Sequence, residues 1–201
     1  MIDEPVWAIV PTKCFVRGKS RLASVLDSDA RAKFARGLLE HVLKVLDESQ
    51  VIARVLVATD CDEVAEVARA HHAEVERDDA PSSLAAVVDH ALAHAAALGA
   101  RAALVLMADL PQLTAEDVRA LVSALDSADI VLAPDHARRH TNALALRPPT
   151  AIATRFGSPT SLADHQACAI AAGLTVKVLD IPRVALDVDG PADLERLTRA
   201  E

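Results

Sequence analysis

Ala102-Ala103-Leu104-Val105-Leu106-Met107-Ala108-Asp109 is the stretch on which the fold turns. An unbroken apolar run, closed by an acid and soon after by Pro111, reads as a strand buried on both faces. Val184-Ala185-Leu186, leading into Asp187, Val188, Asp189 and Gly190-Pro191, reads the same way. Acids at the carboxyl ends of such strands stand where open α/β sheets bind ligands. Any one of these aspartates alone is equally well an ordinary turn residue. Three that converge would repel one another unless a divalent cation lay between them, and hard oxygen ligands of this kind suit Mg2+ bridging to phosphate. Asp109, Asp187 and Asp189 are therefore the candidate metal ligands.

The N-terminal segment strengthens this reading. It starts as a short apolar strand, Trp7-Ala8-Ile9-Val10-Pro11, and passes directly into a loop carrying Lys13, Arg17, Lys19 and Arg21. The chain's net charge is −8, so the cluster stands out. A polyanionic substrate needs such compensating charge. Gly18-Lys19-Ser20 echoes a P-loop, but the G-x-x-x-x-G-K-[ST] spacing is absent. A charged loop on its own is more often a solvated surface. Its place directly after the first strand favours phosphate binding.

Composition narrows the classes. The 201 residues suffice for one α/β domain over the whole length, 1–201. The hydrophobic fraction of 52% is carried by Ala, Val and Leu, while aromatics make up 2%. That favours helices on a sheet with small contacts and argues against platforms for stacking nucleic-acid bases. The acidic balance also argues against nucleic acid as a partner. Cys14, Cys61 and Cys168 are odd in number and widely spaced. They build neither a zinc site nor a disulfide framework, which fits a reducing cytoplasm and makes Cys14 a small core residue rather than a nucleophile. No stretch has the length of a signal peptide or a membrane span, so no membrane association is expected.

Strand and helix signals alternate along most of the chain. Strands are expected over Trp7–Pro11, Val55–Thr59, Ala103–Ala108 and Ile130–Ala133. Helices are expected over Ala30–Leu46, Asp62–His71 and Leu84–Leu98, the last entered through Pro81-Ser82-Ser83 and stopped by Gly99. Thr114 is a candidate N-cap for another. Repeated βα units imply a largely parallel sheet with right-handed crossovers. After Asp135 the rhythm changes to a β-rich insertion: a short strand over Asn142–Leu146, a helix over Leu162–Ala172, a strand over Val176–Ile181 and a terminal helix opened by Pro191.

Taken in order, several motifs resemble one known family. They are Val10-Pro11-Thr12-Lys13 with Gly18-Lys19-Ser20-Arg21-Leu22, Met107-Ala108-Asp109-Leu110-Pro111, Ala133-Pro134-Asp135 with Thr141-Asn142-Ala143-Leu144, Arg155-Phe156-Gly157, Ser161-Leu162-Ala163-Asp164-His165, and Leu186-Asp187-Val188-Asp189-Gly190-Pro191. Together they resemble the CofC/FbiD guanylyltransferases, which act in making the deazaflavin coenzyme F-420. The resemblance implies a GT-A-like nucleotidyltransferase fold, GTP as co-substrate, Mg2+, and an acceptor that is phosphoenolpyruvate, 2-phospho-L-lactate or 3-phospho-D-glycerate. It implies metal ligation by Asp109, Asp187 and Asp189, nucleotide contacts at Pro11, Lys13, Lys19 and Arg21, and acceptor contacts at Thr141, Gly157 and Ser161. Asp109, Lys19 and Lys13 would carry the catalysis. This chain departs from the family at Ser83-Leu84-Ala85, where Gly-Leu-Asn is usual, and at His140, where glycine is usual.

The implied reaction is in-line attack by an acceptor phosphate oxygen on the α-phosphorus of GTP, with pyrophosphate leaving and no general base required. Rival readings are a nucleotidyltransferase acting on a sugar phosphate or a molybdenum cofactor, a glycosyltransferase, whose Asp-x-Asp motif Asp187-Val188-Asp189 resembles, and a non-catalytic nucleotide-binding domain. His90 and His94, four apart, could ligate a metal but read better as a solvated helix face. His140 and His165 are expected near the acceptor in structural or substrate-shaping roles.

Overall fold

The computed structural model describes residues 5–77 and 83–199. Alternation along Val6–Pro11 (β1) puts that strand at the centre. Val6, Ala8 and Val10 enter the core on one face, and Trp7 and Ile9 enter a second core on the other. Ala102–Leu106 (β4) divides in the same way, with Leu104 and Leu106 to the first core and Ala103 and Val105 to the second. Both strands are buried on both faces, as their apolar runs require. Truncating a fully buried residue such as Leu104 to alanine would cost about 2–5 kcal/mol.

Arg54–Thr59 (β2), Glu74–Arg77 (β3), Ile130–Pro134 (β5), Thr141–Leu146 (β6) and Val176–Val178 (β7) complete one seven-stranded sheet in the order β3-β2-β1-β4-β6-β5-β7. The helices Ser28–Ser49 (α1), Asp62–Ala70 (α2) and Ala115–Ser123 (α4) cover the first face, and Leu84–Ala97 (α3) and Ser161–Ala171 (α5) cover the second. The chain runs outward from β1 through α1 and α2 to β3, then returns through α3 to β4 on the other side of β1. That reversal opens a crevice at the carboxyl ends of β1 and β4, where such sheets take ligands. β6 runs antiparallel to β4, pairing Ala143 with Leu106, so its first residue, Thr141, reaches the same edge. The β-rich segment after Asp135 is thus built into the main sheet, with β6 between β4 and β5.

Helix starts follow local chemistry. Asp27 accepts from the Ala30 N–H at 2.8 Å to cap α1, and Ser83 accepts from Ala86 at 3.2 Å to cap α3. Thr114 does cap α4, in a reciprocal box with Asp117. Pro81 and Ser82, part of the expected α3 entry, lie outside the described residues.

Two expectations need correction, and one strand has no sequence signal. Val184-Ala185-Leu186 is not a buried strand, because Pro182–Ala185 forms a single helical turn (α6) that starts on Pro182 and buries Val184. Strand β3 carried no apolar signal: it is an edge strand whose charged residues suit exposure. Cys14 is not merely a core thiol, since it forms a disulfide with Cys61, and the three cysteines therefore give no ground for a reducing compartment. β1 and β2 are parallel with Pro11 opposite Ala58, so two cysteines 47 positions apart follow neighbouring strand ends, with Cα atoms 5.1 Å apart. Among the described residues, no helix is long and apolar enough to cross a membrane.

Candidate active site

The three acids reach one point by different routes. Asp109 lies three residues past β4, where the chain has left the sheet. Asp187 and Asp189 flank buried Val188, whose N–H donates to the Asp109 carbonyl at 3.2 Å. Asn142, the second residue of β6, holds this segment from below: its Nδ2 donates to the Val184 carbonyl at 2.9 Å and to Asp187 Oδ1 at 3.1 Å. Asp193, on the terminal helix Pro191–Arg199 (α7), accepts from the Gly190 N–H at 2.9 Å and the Asp189 N–H at 3.2 Å. Arg183 of α6 forks onto Asp117 at 2.7 and 2.9 Å and ties the turn to the start of α4.

Carboxylate oxygens of Asp109, Asp187 and Asp189 all lie within 4.8 Å of one another. Burial first, and then the charges of Asp109 and Asp189, push the Asp187 carboxyl above its ordinary pKa, against the Asn142 hydrogen bond. Asp109 Oδ1 is buried with no hydrogen-bond partner among the described residues. A buried oxygen lacking a donor, in a set of oxygen ligands only, fits a hard divalent cation such as Mg2+.

Lys19 stands against this cluster in a left-handed backbone conformation, φ 52°, between two short 3-10 turns. Strained non-glycine residues of this kind gather at functional sites. Its Nζ is 2.6 Å from Asp109 Oδ2 and 3.2 Å from Asp189 Oδ1. Burial disfavours the ammonium, but the two acids outweigh it and raise the Lys19 pKa above its usual value. Arg21 approaches Asp189 at 3.5 Å, and Lys13 is exposed at the rim. Arg17 turns away to Asp60, at 2.5 Å.

The ten residues expected from the sequence to meet metal, nucleotide or acceptor line one cleft of about 410 Å3. Pro11, Lys13, Lys19 and Arg21 come from the β1 end, the acids from the β4 end and the α6–α7 segment, and Thr141, Gly157 and Ser161 from the opposite wall. Gly157 has φ +86°, which favours glycine. His140 also lines the cleft and hydrogen-bonds Asp135, whereas His165 is buried behind it. His90 and His94 both pair with Glu76, so they form the polar helix face expected of them. Asn142, Arg183 and Asp193 were not foreseen as site residues. A lone Asn opening an apolar strand is the one signal that pointed to any of them.

The family described as "Guanylyl transferase CofC like" matches residues 6–198. The chain belongs to this family. It is 40% identical over 193 residues to the phosphoenolpyruvate guanylyltransferase of Sphaerobacter thermophilus, covering 94% of this chain and 91% of the relative. It is 36% identical to the 2-phospho-L-lactate guanylyltransferase of Halorubrum lacusprofundi, covering 90% and 79%. In fold it is similar to a nucleotidyl transferase from Methanothermobacter thermautotroptrophicus, with a TM-score of 0.71 at 15% identity over 98% of this chain and 99% of that one. A CofC-like guanylyltransferase is an enzyme of the nucleotidyltransferase class, so the non-catalytic and glycosyltransferase readings fall.

Proposed function

We propose that this CofC-like enzyme transfers GMP from GTP to phosphoenolpyruvate, with pyrophosphate leaving, and so supplies an intermediate for coenzyme F-420. One observation carries the reading: residues chosen from six separate sequence segments line the same cleft at the reversal point of the sheet. Phosphoenolpyruvate is favoured over 2-phospho-L-lactate and 3-phospho-D-glycerate because the relative at 40% identity is named for it, while relatives named for the other two stand at 36% and 33%.

Asp109, Asp187 and Asp189 would hold Mg2+, which when bound supplies positive charge to the phosphates. The chain's own residues do the rest. Lys13, Lys19 and Arg21 offset the repulsion between a phosphate dianion and a triphosphate, which at 4 Å is about 1 kcal/mol per charge pair in water and several times more in a partly buried cleft. Lys19 stabilises charge moving onto the departing pyrophosphate. Thr141 and Ser161 hydroxyls, with the main chain at Gly157, hold the acceptor carboxylate through neutral donors and leave a phosphate oxygen free to attack. That oxygen is already a competent nucleophile, so no side chain needs to take a proton. GTP and phosphorylated three-carbon acids are cytoplasmic metabolites, so the cytoplasm is the proposed setting.

A pyrophosphate-release assay tests the proposal, with GTP, CTP, UTP and ATP each offered against the three acids and a sugar phosphate. The expected result is release with GTP and phosphoenolpyruvate well above every other pair. Release with CTP and a sugar phosphate, but with none of the three acids, would move the enzyme to the sugar-nucleotide class.

A further inference from the structure

His165 is fully buried on α5 and does not touch the cleft, yet it is joined to the wall proposed to hold the acceptor. The Arg155 N–H lies 2.7 Å from His165 Nε2. A main-chain N–H can only donate, so Nε2 is the acceptor and the neutral ring carries its proton on Nδ1. Nδ1 lies 3.0 Å from Thr141 Oγ1, so the ring donates and the threonine oxygen accepts. The Thr141 hydroxyl proton is then free of the ring. One step further, the Thr141 N–H donates to Ser161 Oγ at 3.1 Å, which fills one lone pair and leaves that hydroxyl proton free as well. Phe156 meets the imidazole edge-on, with centroids 4.8 Å apart, and fixes its plane.

We infer that His165 is a positioning residue that holds Thr141 Oγ1 as its acceptor and so turns the Thr141 hydroxyl into a donor that faces the acceptor's carboxylate beside the Ser161 hydroxyl, which the Thr141 N–H leaves free to donate. A carboxylate only accepts hydrogen bonds. With the other tautomer, Nε2–H would oppose the Arg155 N–H, and Thr141 would donate to Nδ1, leaving an oxygen lone pair towards the anion. The inference rests on the proposed seating of the acceptor carboxylate against Thr141 and Ser161.

Two conservative variants separate positioning from packing. In His165→Asn the side-chain amide reaches the place of Nδ1 and keeps a donor for Thr141. In His165→Gln the amide reaches the place of Nε2, keeps a partner for Arg155 and loses that donor. Steady-state pyrophosphate release is measured with GTP and the acid varied separately, for both variants, Thr141→Val and the double variant Thr141→Val/His165→Gln. The expected result is an acceptor KM raised about tenfold or more in His165→Gln and Thr141→Val, near wild type in His165→Asn, with no further rise in the double variant and an unchanged KM for GTP. Equal shifts in Asn and Gln variants, or a GTP KM that moves in step, would overturn the role. If Thr141→Val leaves the acceptor KM unchanged, the carboxylate seating fails and the inference falls with it. If Thr141→Val raises it and His165→Gln does not, the inference fails alone. The wild-type protein gives an arm that needs no variant: two-bond 1H–15N correlation of the imidazole should show the Nδ1–H tautomer near neutral pH, and Nε2–H would overturn the assignment.

Discussion

Lys19 Nζ lies 2.6 Å from Asp109 Oδ2, across 90 positions of sequence. The same ammonium reaches Asp189, so one cation bridges acids from the β4 end and the α6–α7 segment. Without a dication, it is the charge that keeps these acids together. Both partners are largely buried, with side-chain exposures of 10% for Lys19 and 22% for Asp109, so the contact is screened less than a surface pair.

Lys19→Met should therefore have two separable effects. In the absence of divalent ions the melting temperature should fall by about 2–4 °C, a loss of about 1 kcal/mol, and added Mg2+ should restore it. Turnover should fall by about 10²-fold or more with the acceptor KM little changed, because the lost charge serves the departing pyrophosphate. Thermal melts with and without Mg2+, alongside kinetics, check both. A variant that changes only the acceptor KM would place Lys19 on the other wall.

Arg183→Met should destabilise more than its exposed position suggests. Asp117 is 3% exposed and would keep its charge after losing the fork of hydrogen bonds. Burial works against this carboxylate, but Arg183 and Thr114 overcome it and hold its pKa below the usual value. A fall in melting temperature of a few degrees is expected at neutral pH. Asp117 has a depressed folded pKa, so its contribution is present above the unfolded pKa of about 3.9 and fades as pH falls through the folded value. The gap between wild type and variant should accordingly close below pH 4 in melts run from pH 7 to 3. Activity should also fall, since α6 leads directly into Asp187.

Acid should weaken the fold earlier, through His165. Burial, aided by Arg155 and opposed by Asp164 and the Ser161 main chain, lowers its pKa to about 4. The unfolded ring takes a proton near pH 6.5, so stability is lost as pH falls from there towards 4, by up to about 3 kcal/mol. Melts from pH 7.5 to 4.5 should show this slope, and His165→Asn should flatten it. An equal slope in the variant would assign the loss to other groups.

What the sequence made legible depended on how local the cause was. The runs around Ala8 and Leu104 could be read because both faces of their strands are buried, and Thr114 because a capping box is short-range. Asp109, Asp187 and Asp189 stood out because acids at the ends of apolar runs have no packing role. By contrast, Glu74–Arg77 pairs on one side only and looks like any polar stretch. A short apolar run such as Val184-Ala185-Leu186 cannot tell a strand from a helical turn. The Cys14–Cys61 bond depends on strand register, and the tasks of Asn142, Arg183 and His165 on partners 42, 66 and 24 positions away.

Gly157→Ala should leave the fold nearly intact but disturb the acceptor wall. A Cβ there would meet Leu84 Cβ at 3.7 Å, an ordinary contact, so the cost comes from φ +86° and should be about 1 kcal/mol or slightly more. The expected readout is a raised acceptor KM with an unchanged GTP KM. A wild-type acceptor KM would remove Gly157 from the pocket.

Pyrophosphate release from GTP by wild type and Asp109→Asn, with and without phosphoenolpyruvate in Mg2+ buffer, tests the guanylyl-transfer site most directly. Wild type should release one pyrophosphate for each phosphoenolpyruvate consumed and almost none without it. Asp109→Asn should keep its fold and lose on the order of 10²–10³-fold or more in rate. Acceptor-independent release by wild type, or full activity in Asp109→Asn, would contradict the assignment of this cleft.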